Sequence, residues 1–332
     1  MSTNPVGLVA LAAALAALAT WLVRRSALAV GFMDQPNPIV PQHVRPVAYG
    51  GGLAVVLGAA GTLAITQVIV PLKFWSPAVL FLLLGLYDDK RRLAPGPKFL
   101  LQVLVTGLAV WLGVSAPWTG LAGLDAVLSA LAILTWINAA NFTDVCDGLL
   151  SGLAVIGLAG FALLAEPWAP LAWISAGGCL GFLLFNRPPA AIFLGDAGSG
   201  LVGYLLAAFA LEFIAASQRP LLALTQSVLF ASVPLFELLF LTAVRILKGL
   251  PWWRGSRDHF SLRLQAAGYS RLETDLWAWG AALVFAVVAL VLPGLSLLAR
   301  WVALGMVLLS TGLAAVWLKR HEVPPKAAPA PQ

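Results

Sequence analysis

Three short segments of this sequence place carboxylates and amides next to apolar stretches. The first is the pair Asp88-Asp89, which follows a run of apolar residues. Two adjacent carboxylates beside such a run repel one another, which costs free energy unless a cation or phosphate chemistry uses them. A solvated loop pair next to Lys90, Arg91 and Arg92 is the simpler interpretation. Taken alone, the pair leaves both interpretations open.

The second segment spaces polar side chains every third residue at the end of another apolar stretch. It contains Asn138, Asn141, Asp144 and Asp147 and ends at Gly148. On an α-helix this spacing keeps successive groups within about 60° of each other, so they line one slowly drifting face. Helix capping and a glycine turn explain one or two of these residues. The full set favours a site for phosphate and metal.

The third segment, 193–200, is a glycine-rich turn that begins a helix, with Asp196 at or near the N-cap. Capping and the close packing of small residues between membrane helices are the simpler alternatives. The more specific hypothesis is that Asp196 binds a hard cation beside a diphosphate. Mg²⁺ prefers a few carboxylate or carbonyl oxygens and takes its remaining ligands from water and substrate phosphates.

A basic segment near the carboxyl end adds one histidine. His259 is the only histidine between His43 and His321, and it follows Arg257 by two residues. We therefore expect His259 to contact a phosphate or sugar of a substrate, with an amphipathic turn at the membrane surface as the alternative. Arg271, further along, is expected to act mainly through membrane topology.

The elements that position these residues are membrane helices. Of the 332 residues, 61% are hydrophobic and 10% are charged, and the mean hydropathy is +0.92. Soluble domains are about a quarter charged. Apolar stretches of roughly 20 residues cross the hydrocarbon core as helices. The sequence thus predicts an all-α, polytopic membrane protein with about eleven transmembrane helices, at 7–23, 50–70, 74–88, 98–115, 121–140, 148–165, 168–185, 197–216, 220–245, 274–293 and 296–318.

The basic residues indicate the orientation of these helices. All but Lys73, Arg219 and Arg300 of the 20 lysines and arginines fall on one side of the predicted membrane. The positive-inside rule assigns that side to the cytoplasm, which places the N-terminus outside and all three polar segments at the cytoplasmic face. We expect a multi-pass protein of the inner cell membrane with one transmembrane domain, 1–320, and a disordered tail, 321–332.

Other features exclude or weaken alternative classes. The net charge of +6 is scattered over short loops, so nucleic acid is not an expected partner. The two cysteines, Cys146 and Cys179, are expected to be free thiols. A transporter or lipid flippase would place charges near the midplane on broken helices, often within inverted repeats. Here five aspartates gather at one face, and we find no repeat. Glu237, inside a predicted helix, is expected to face the bundle in a structural role.

The three polar segments, in this order and at these helix ends, resemble the polyprenyl-phosphate N-acetylhexosamine-1-phosphate transferase family. The matching motifs are Leu86-Tyr87-Asp88-Asp89, Asn138…Asn141…Asp144…Asp147-Gly148-Leu149 and Phe193-Leu194-Gly195-Asp196, and the resemblance extends from Asp34 to about Gly268. It implies transfer of a sugar 1-phosphate from a UDP-sugar to undecaprenyl or another polyprenyl phosphate. UMP would be released, and Mg²⁺, or Mn²⁺ in its place, would be the cofactor. We retain a homodimer as a further expectation.

The resemblance also implies roles for individual residues. Asp88 and Asp89 would lie near the lipid phosphate, with Lys98 neutralising phosphate charge. Asp196 and Asn141 would bind magnesium. Asn141, Asp144 and Asp147 would surround the nucleotide diphosphate, Asn138 would be a further substrate-binding residue, and Phe193 would stack on the uracil. Without the resemblance, Phe193 would be interpreted as packing and Lys98 as one more inner-loop cation.

Two loops depart from the family pattern. The segment 34–52, which includes His43 as a candidate substrate-binding residue, has Ile39 and Val40 where a basic residue is usual, and Tyr49 where arginine is usual. The segment 257–263 keeps an Arg-x-His core but lacks the family's multiple histidines. This argues for the UDP-N-acetylglucosamine branch over the phospho-N-acetylmuramoyl-pentapeptide branch, which remains the same-fold alternative.

Overall fold

The computed structural model describes residues 4–36, 45–251, 253 and 255–323. They form α-helices and one small antiparallel β-hairpin, in which Met33 pairs with Ala48 and Asp34 with Val47. In chain order the elements are α1 Pro5–Val30, β1 Met33–Asp34, β2 Val47–Ala48, α2 Gly51–Thr66, α3 Leu72–Arg91, α4 Pro95–Trp111, α5 Ala122–Thr143, α6 Leu149–Leu164, α7 Ala169–Asn186, α8 Gly195–Ala216, α9 Pro220–Phe230, α10 Ser232–Leu247, α11 Phe260–Ala266, α12 Arg271–Val291 and α13 Leu297–Lys319.

Six of these helices, α1, α5, α7, α8, α12 and α13, are long and apolar enough to cross a membrane. The pair α9 and α10 adds a seventh candidate if it counts as one bent span. The prediction of an all-α, polytopic membrane protein is therefore confirmed. His43 and most of the predicted tail lie outside the described residues.

The prediction of one straight helix over 220–245 is wrong. Helix α9 ends at Phe230, α10 begins at Ser232, and the two axes differ by 77°. Pro234 gives the physical reason, because proline has no N–H to donate to the carbonyl four residues earlier and its ring clashes with that carbonyl. The carbonyl in question belongs to Phe230, the last residue of α9.

Two other boundaries differ from the prediction for local reasons. Helix α1 continues seven residues beyond the predicted end and stops at Gly31, which has the left-handed φ of 71° typical of a helix C-terminus. Helix α12 starts at Arg271 because Ser270 and Glu273 form a capping box. The predicted loop 246–273 also contains the short helix α11.

Helix α8 lies at the centre of the bundle, and α3 and α5 pack against it. Gly85 of α3 permits the closest approach, because a Cβ atom there would lie 2.2 Å from the Cα of Ala197. The carboxyl ends of α3 and α5 therefore meet the amino end of α8. This packing brings the three polar segments to one end of the bundle.

Candidate active site

Four polar side chains from four helices meet at that end of the bundle. The Lys98 ammonium at the start of α4 lies 2.8 Å from Asp88 Oδ2 and 2.7 Å from Asp196 Oδ1. Asn141 donates its amide N–H to Asp196 Oδ1 and, at 3.1 Å, to Ser199 Oγ. These residues line one small pocket. Side chains from four different helices thus form one connected polar cluster.

Asp89 has a different geometry from its neighbour Asp88. Its carboxylate accepts hydrogen bonds from the backbone N–H groups of Asp196, at 2.8 Å, and Ala197, at 3.3 Å. Leu194, the N-cap residue of α8, provides no side-chain cap. Asp89 therefore caps α8 from another helix, where a negative charge also interacts favourably with the helix dipole. It fixes the backbone of the residue whose side chain pairs with Lys98.

Asn138 lies one helical turn deeper in α5 than Asn141. Its amide donates to Leu134 O at 2.8 Å and, at 3.5 Å, to Gln102 Oε1. The structure therefore places Asn138 on the wall beneath the cluster, while Asn141 belongs to the cluster itself.

Asp144 and Asp147 occupy the connection between α5 and α6. Burial, together with the nearby charges of Asp196 and Asp147, raises the pKa of Asp144 to about 8. Asp147 is only 3% exposed and accepts from Ala190 N at 3.1 Å and from Arg271 Nη1 at 3.0 Å. The expectation that Arg271 acts mainly through topology did not include this contact with a buried candidate site residue.

Asn186 is a residue that our interpretation of the sequence missed. Its Oδ1 accepts from Gly148 N at 3.0 Å and from Ser151 Oγ at 2.5 Å, while its amide donates to Ile192 O at 3.0 Å. It thus ties the start of α6 to the segment that leads into α8. The available signal was an asparagine at the end of an apolar helix, directly before the proline-containing loop at 187–189.

Phe193 is held by backbone hydrogen bonds to strand β2 and to the start of α2. Its N–H donates to Ala48 O at 2.8 Å, and its carbonyl accepts from Gly51 N at 3.0 Å. Its ring meets the ring of Tyr49 edge-on, with centroids 6.3 Å apart. Beside Tyr49 lies a largely apolar cavity of about 780 Å³. It is lined mainly by residues of α1, α2 and α3, and Asp89 is one of these residues.

His259 is 5% exposed and faces a carboxylate from α10. Its Nδ1 lies 2.6 Å from Glu237 Oε1, and the N–H of Phe260 donates to Glu237 Oε2 at 3.1 Å. Arg257 is partly buried in the same loop. The loop packs beside the α5–α6 connection, where Gln265 Nε2 donates to Cys146 Sγ at 3.1 Å.

The polar cluster can supply only part of a ligand shell for Mg²⁺. Within the described ranges, no three carboxylate, histidine or cysteine side chains surround a common ion position. Mg²⁺ does not require such a cage, because one or two carboxylates suffice when phosphates and water complete the octahedron. Asp196, whose carboxylate contacts the side-chain amide of Asn141, fits a site of that kind.

The fold and this cluster define a polytopic membrane protein with a carboxylate–lysine site at the ends of its helices. A model of glycosyl transferase family 4 matches residues 72–214, which include the whole cluster. The chain is 30% identical over 303 residues to a probable undecaprenyl-phosphate N-acetylglucosaminyl 1-phosphate transferase of Bacillus subtilis, covering 86% of this chain and 83% of that protein.

Two further relatives are similar over different lengths. A decaprenyl-phosphate N-acetylglucosaminephosphotransferase of Mycobacterium tuberculosis is 30% identical over 82% of this chain and 79% of its own. A phospho-N-acetylmuramoyl-pentapeptide-transferase of Listeria welshimeri is 36% identical over 47% of this chain and 49% of its own. The chain belongs to glycosyl transferase family 4, which confirms the resemblance drawn from its motifs.

Proposed function

We propose that this protein transfers an N-acetylhexosamine 1-phosphate from a UDP-sugar to undecaprenyl or another polyprenyl phosphate. UMP leaves, and a lipid-diphosphate sugar for cell-envelope polysaccharide synthesis is formed. The observation that carries the proposal is the convergence of Asp88, Lys98, Asn141 and Asp196, in a chain related over most of its length to transferases named for this activity.

In the proposed reaction, an oxygen of the lipid phosphate attacks the phosphorus next to the sugar. The bond from that phosphorus to the oxygen of UMP breaks, and UMP retains the electron pair. A phosphate monoester has a second pKa near 6, so the acceptor is already largely ionised at neutral pH. Asp88, which is paired with Lys98, is therefore proposed mainly to position the acceptor, with transfer of its residual proton as a minor role.

The remaining site residues are proposed to bind the donor. Asn141, Asp144 and Asp147 would surround the diphosphate, with Asn138 beneath them and Phe193 on the uracil. Arg257, His259 and His43 would contact phosphate or sugar. Lys98 would release one of its two carboxylate partners and bind a phosphate oxygen instead. Asp89 would keep Asp196 in place by capping the amino end of α8.

Asp196 and Asn141 are proposed to hold Mg²⁺, or Mn²⁺ in its place. When bound, the ion would supply charge neutralisation for the diphosphate and the leaving phosphate. The apolar cavity beside Asp89 supports an acceptor that combines a long apolar chain with a polar head.

We further propose that the protein crosses the inner cell membrane eleven times, with its N-terminus outside and the site facing the cytoplasm. This count treats α9 and α10 as one bent span and leaves the seven-residue α11 outside the membrane. The domain would extend over 1–320, with 321–332 as a cytoplasmic tail and a homodimer as the assembly.

The activity is tested with purified protein, a short-chain polyprenyl phosphate and radiolabelled nucleotide sugars. We expect label from UDP-N-acetylglucosamine to enter the organic phase with equimolar release of UMP. UDP-N-acetylmuramoyl-pentapeptide serves as the second donor, because the Listeria relative carries that activity in its name. Extraction of label from neither donor, nor from other UDP-N-acetylhexosamines, would contradict the proposal.

The orientation is tested by introducing a cysteine at Gly255. The two native cysteines are buried, so a membrane-impermeant maleimide should give little background. We expect position 255 to react in inverted vesicles and not in intact cells. Rapid labelling from outside intact cells would reverse the proposed topology.

A further inference from the structure

Glu237 is a buried acid whose role the proposed reaction leaves open. It is completely buried on α10, five residues after Ser232, where the second helix of the bent pair begins. A buried carboxylate that lacks partners is costly, so buried acids are found paired and hydrogen-bonded. Glu237 meets this condition through residues that follow it by more than 20 positions, at the start of α11.

The contacts of Glu237 determine which atom carries the proton. The N–H of Phe260 can only donate, so Glu237 Oε2 accepts at 3.1 Å. The Arg245 guanidinium, about two helical turns further along α10, interacts electrostatically with the same carboxylate. As a carboxylate, Glu237 only accepts hydrogen bonds. The 2.6 Å contact from Oε1 to His259 Nδ1 is then a hydrogen bond donated by the imidazole.

This arrangement leaves the other ring nitrogen available. His259 Nε2 forms no hydrogen bond within the part of the chain that the structure describes, and it is not among the enclosed polar atoms that lack a partner. The small exposed fraction of His259, 5%, therefore includes Nε2. One nitrogen is fixed by a buried carboxylate and the other remains open to a ligand.

The loop that carries His259 is held firmly against the rest of the site. Arg245 Nε donates to Ser256 Oγ at 3.2 Å, and its guanidinium lies 5.1 Å from the centre of the Phe142 ring, in the last turn of α5. Phe142 directly follows Asn141, so α10 connects the histidine loop to the carboxylate cluster through packed side chains.

We propose that Glu237 is a positioning residue that acts through His259, an inference that rests on the proposed function of the site. Glu237 holds the imidazole with Nδ1 protonated and Nε2 directed outward. It also stabilises the imidazolium that forms when Nε2 bears a proton against a substrate phosphate. A carboxylate behind a histidine sets the tautomer in this way in hydrolytic triads and at metal sites.

The first test reads the tautomer directly in the wild-type protein. The chain has three histidines, so ¹⁵N-histidine labelling gives a simple spectrum, and the signals that disappear in His259→Gln belong to His259. We expect the shift of a protonated Nδ1. In Glu237→Gln, whose amide can also donate, we expect the Nδ1–H population to fall. An unprotonated Nδ1 in the wild type overturns the proposal.

The second test is kinetic. Orienting partners of this kind typically contribute about 10- to 100-fold in activity. We expect Glu237→Gln to lower kcat by that factor with KM for the nucleotide sugar within about threefold. In a His259→Ala background, the same change should lower kcat by less than about threefold, because the two residues act as a unit. Equal effects in both backgrounds overturn the proposal.

Glu212→Gln is the matched control, since Glu212 is another largely buried acid, with 10% of its side chain exposed, and pairs with Lys73 at 2.7 Å at the far end of α8. We expect its kcat to stay within about threefold of the wild type. A loss as large as that of Glu237→Gln would show that any buried acid matters and would overturn the specific role. A wild type that is inactive with every donor would remove the proposed function, while the tautomer measurement would still decide the Glu237–His259 pairing.

Discussion

Substitution of Gly195 by alanine should disable the site without rearranging the bundle. Gly195 begins α8 with a φ of 76°, and a Cβ atom there would lie 2.6 Å from Asp89 Oδ2. The left-handed conformation costs an L-residue about 1–2 kcal/mol. The clash also displaces a carboxylate that accepts from Asp196 N and Ala197 N. Hydrogen bonds to a charged group contribute about 1.5–3 kcal/mol each.

The loss of one of these hydrogen bonds, added to the cost of the left-handed backbone, destabilises the turn by about 2.5–5 kcal/mol. The cost falls on the turn that positions Asp196, and a misplacement of about 1 Å in a reacting geometry can cost about 10²-fold in rate. We therefore expect Gly195→Ala to reduce turnover by about 10²-fold in the label-transfer assay. The protein should remain extractable in detergent, with a lowered Tm.

Gly280→Ala is the control, because a Cβ atom at this helical position of α12 meets nothing within 4 Å. Alanine should leave turnover unchanged and stabilise the helix by about 0.5–1 kcal/mol. The Asp89→Ala background separates the two costs. There, Gly195→Ala should add only the backbone term of about 1–2 kcal/mol. Wild-type turnover in Gly195→Ala, or the same added destabilisation with and without Asp89, would refute this reasoning.

Two further predictions follow from the α5–α6 connection. Arg271→Ala removes the ion-pair partner of the buried Asp147. Since the arginine side chain is 35% exposed, we expect a loss of about 1–2 kcal/mol, which is a five- to thirtyfold weaker affinity for the UDP-sugar donor. Arg320→Ala is the neutral control. The pKa of Asp144 is raised to about 8 from its ordinary value of 3.8, so the folded state binds the extra proton and stability should fall as the pH rises through that interval and level off above it. Asp144→Asn should flatten this decline in thermal unfolding measured from pH 5 to 9, and an unchanged slope would contradict the assignment.

Sequence patterns predicted the parts of the site that depend on helix ends alone. Asp88, Asn141 and Asp196 each lie at the end of an apolar stretch, and the basic residues assign these ends to one face. Helix ends at a common face of a compact bundle are close together, so their convergence followed from topology. Lys98 belongs with them for the same reason, because it begins the helix after the aspartate pair.

The contacts that orient these groups depend on register between distant helices, which local patterns do not encode. Asp89 caps α8 because Gly85 lets α3 approach the backbone of Ala197. Glu237 reaches His259 because the chain bends by 77° between α9 and α10. Pro234 signalled a break, but the direction of the bend is determined by packing.

The charge of the cluster leads to a final prediction about the order of binding. Asp88, Asp89 and Asp196 bring three carboxylates together, and within the described residues their one ion-pair partner is Lys98. A free diphosphate entering this site meets net negative charge, and two unit charges 4 Å apart at a protein surface repel by about 4 kcal/mol. The site should therefore bind the nucleotide sugar together with a divalent cation.

Asp196→Asn separates this electrostatic effect from a general loss of structure. With Mg²⁺ present, the variant should bind the UDP-sugar more weakly than the wild type and show no turnover, because a ligand oxygen of the ion has lost its charge. In EDTA the order should reverse, because the variant has one repelling carboxylate fewer, and the gain should be about tenfold for each 1.4 kcal/mol of repulsion removed. Titration calorimetry in both buffers measures the four affinities. If the wild type binds the free nucleotide sugar in EDTA as tightly as with Mg²⁺, the carboxylates do not face the diphosphate and Asp196 is not a metal ligand.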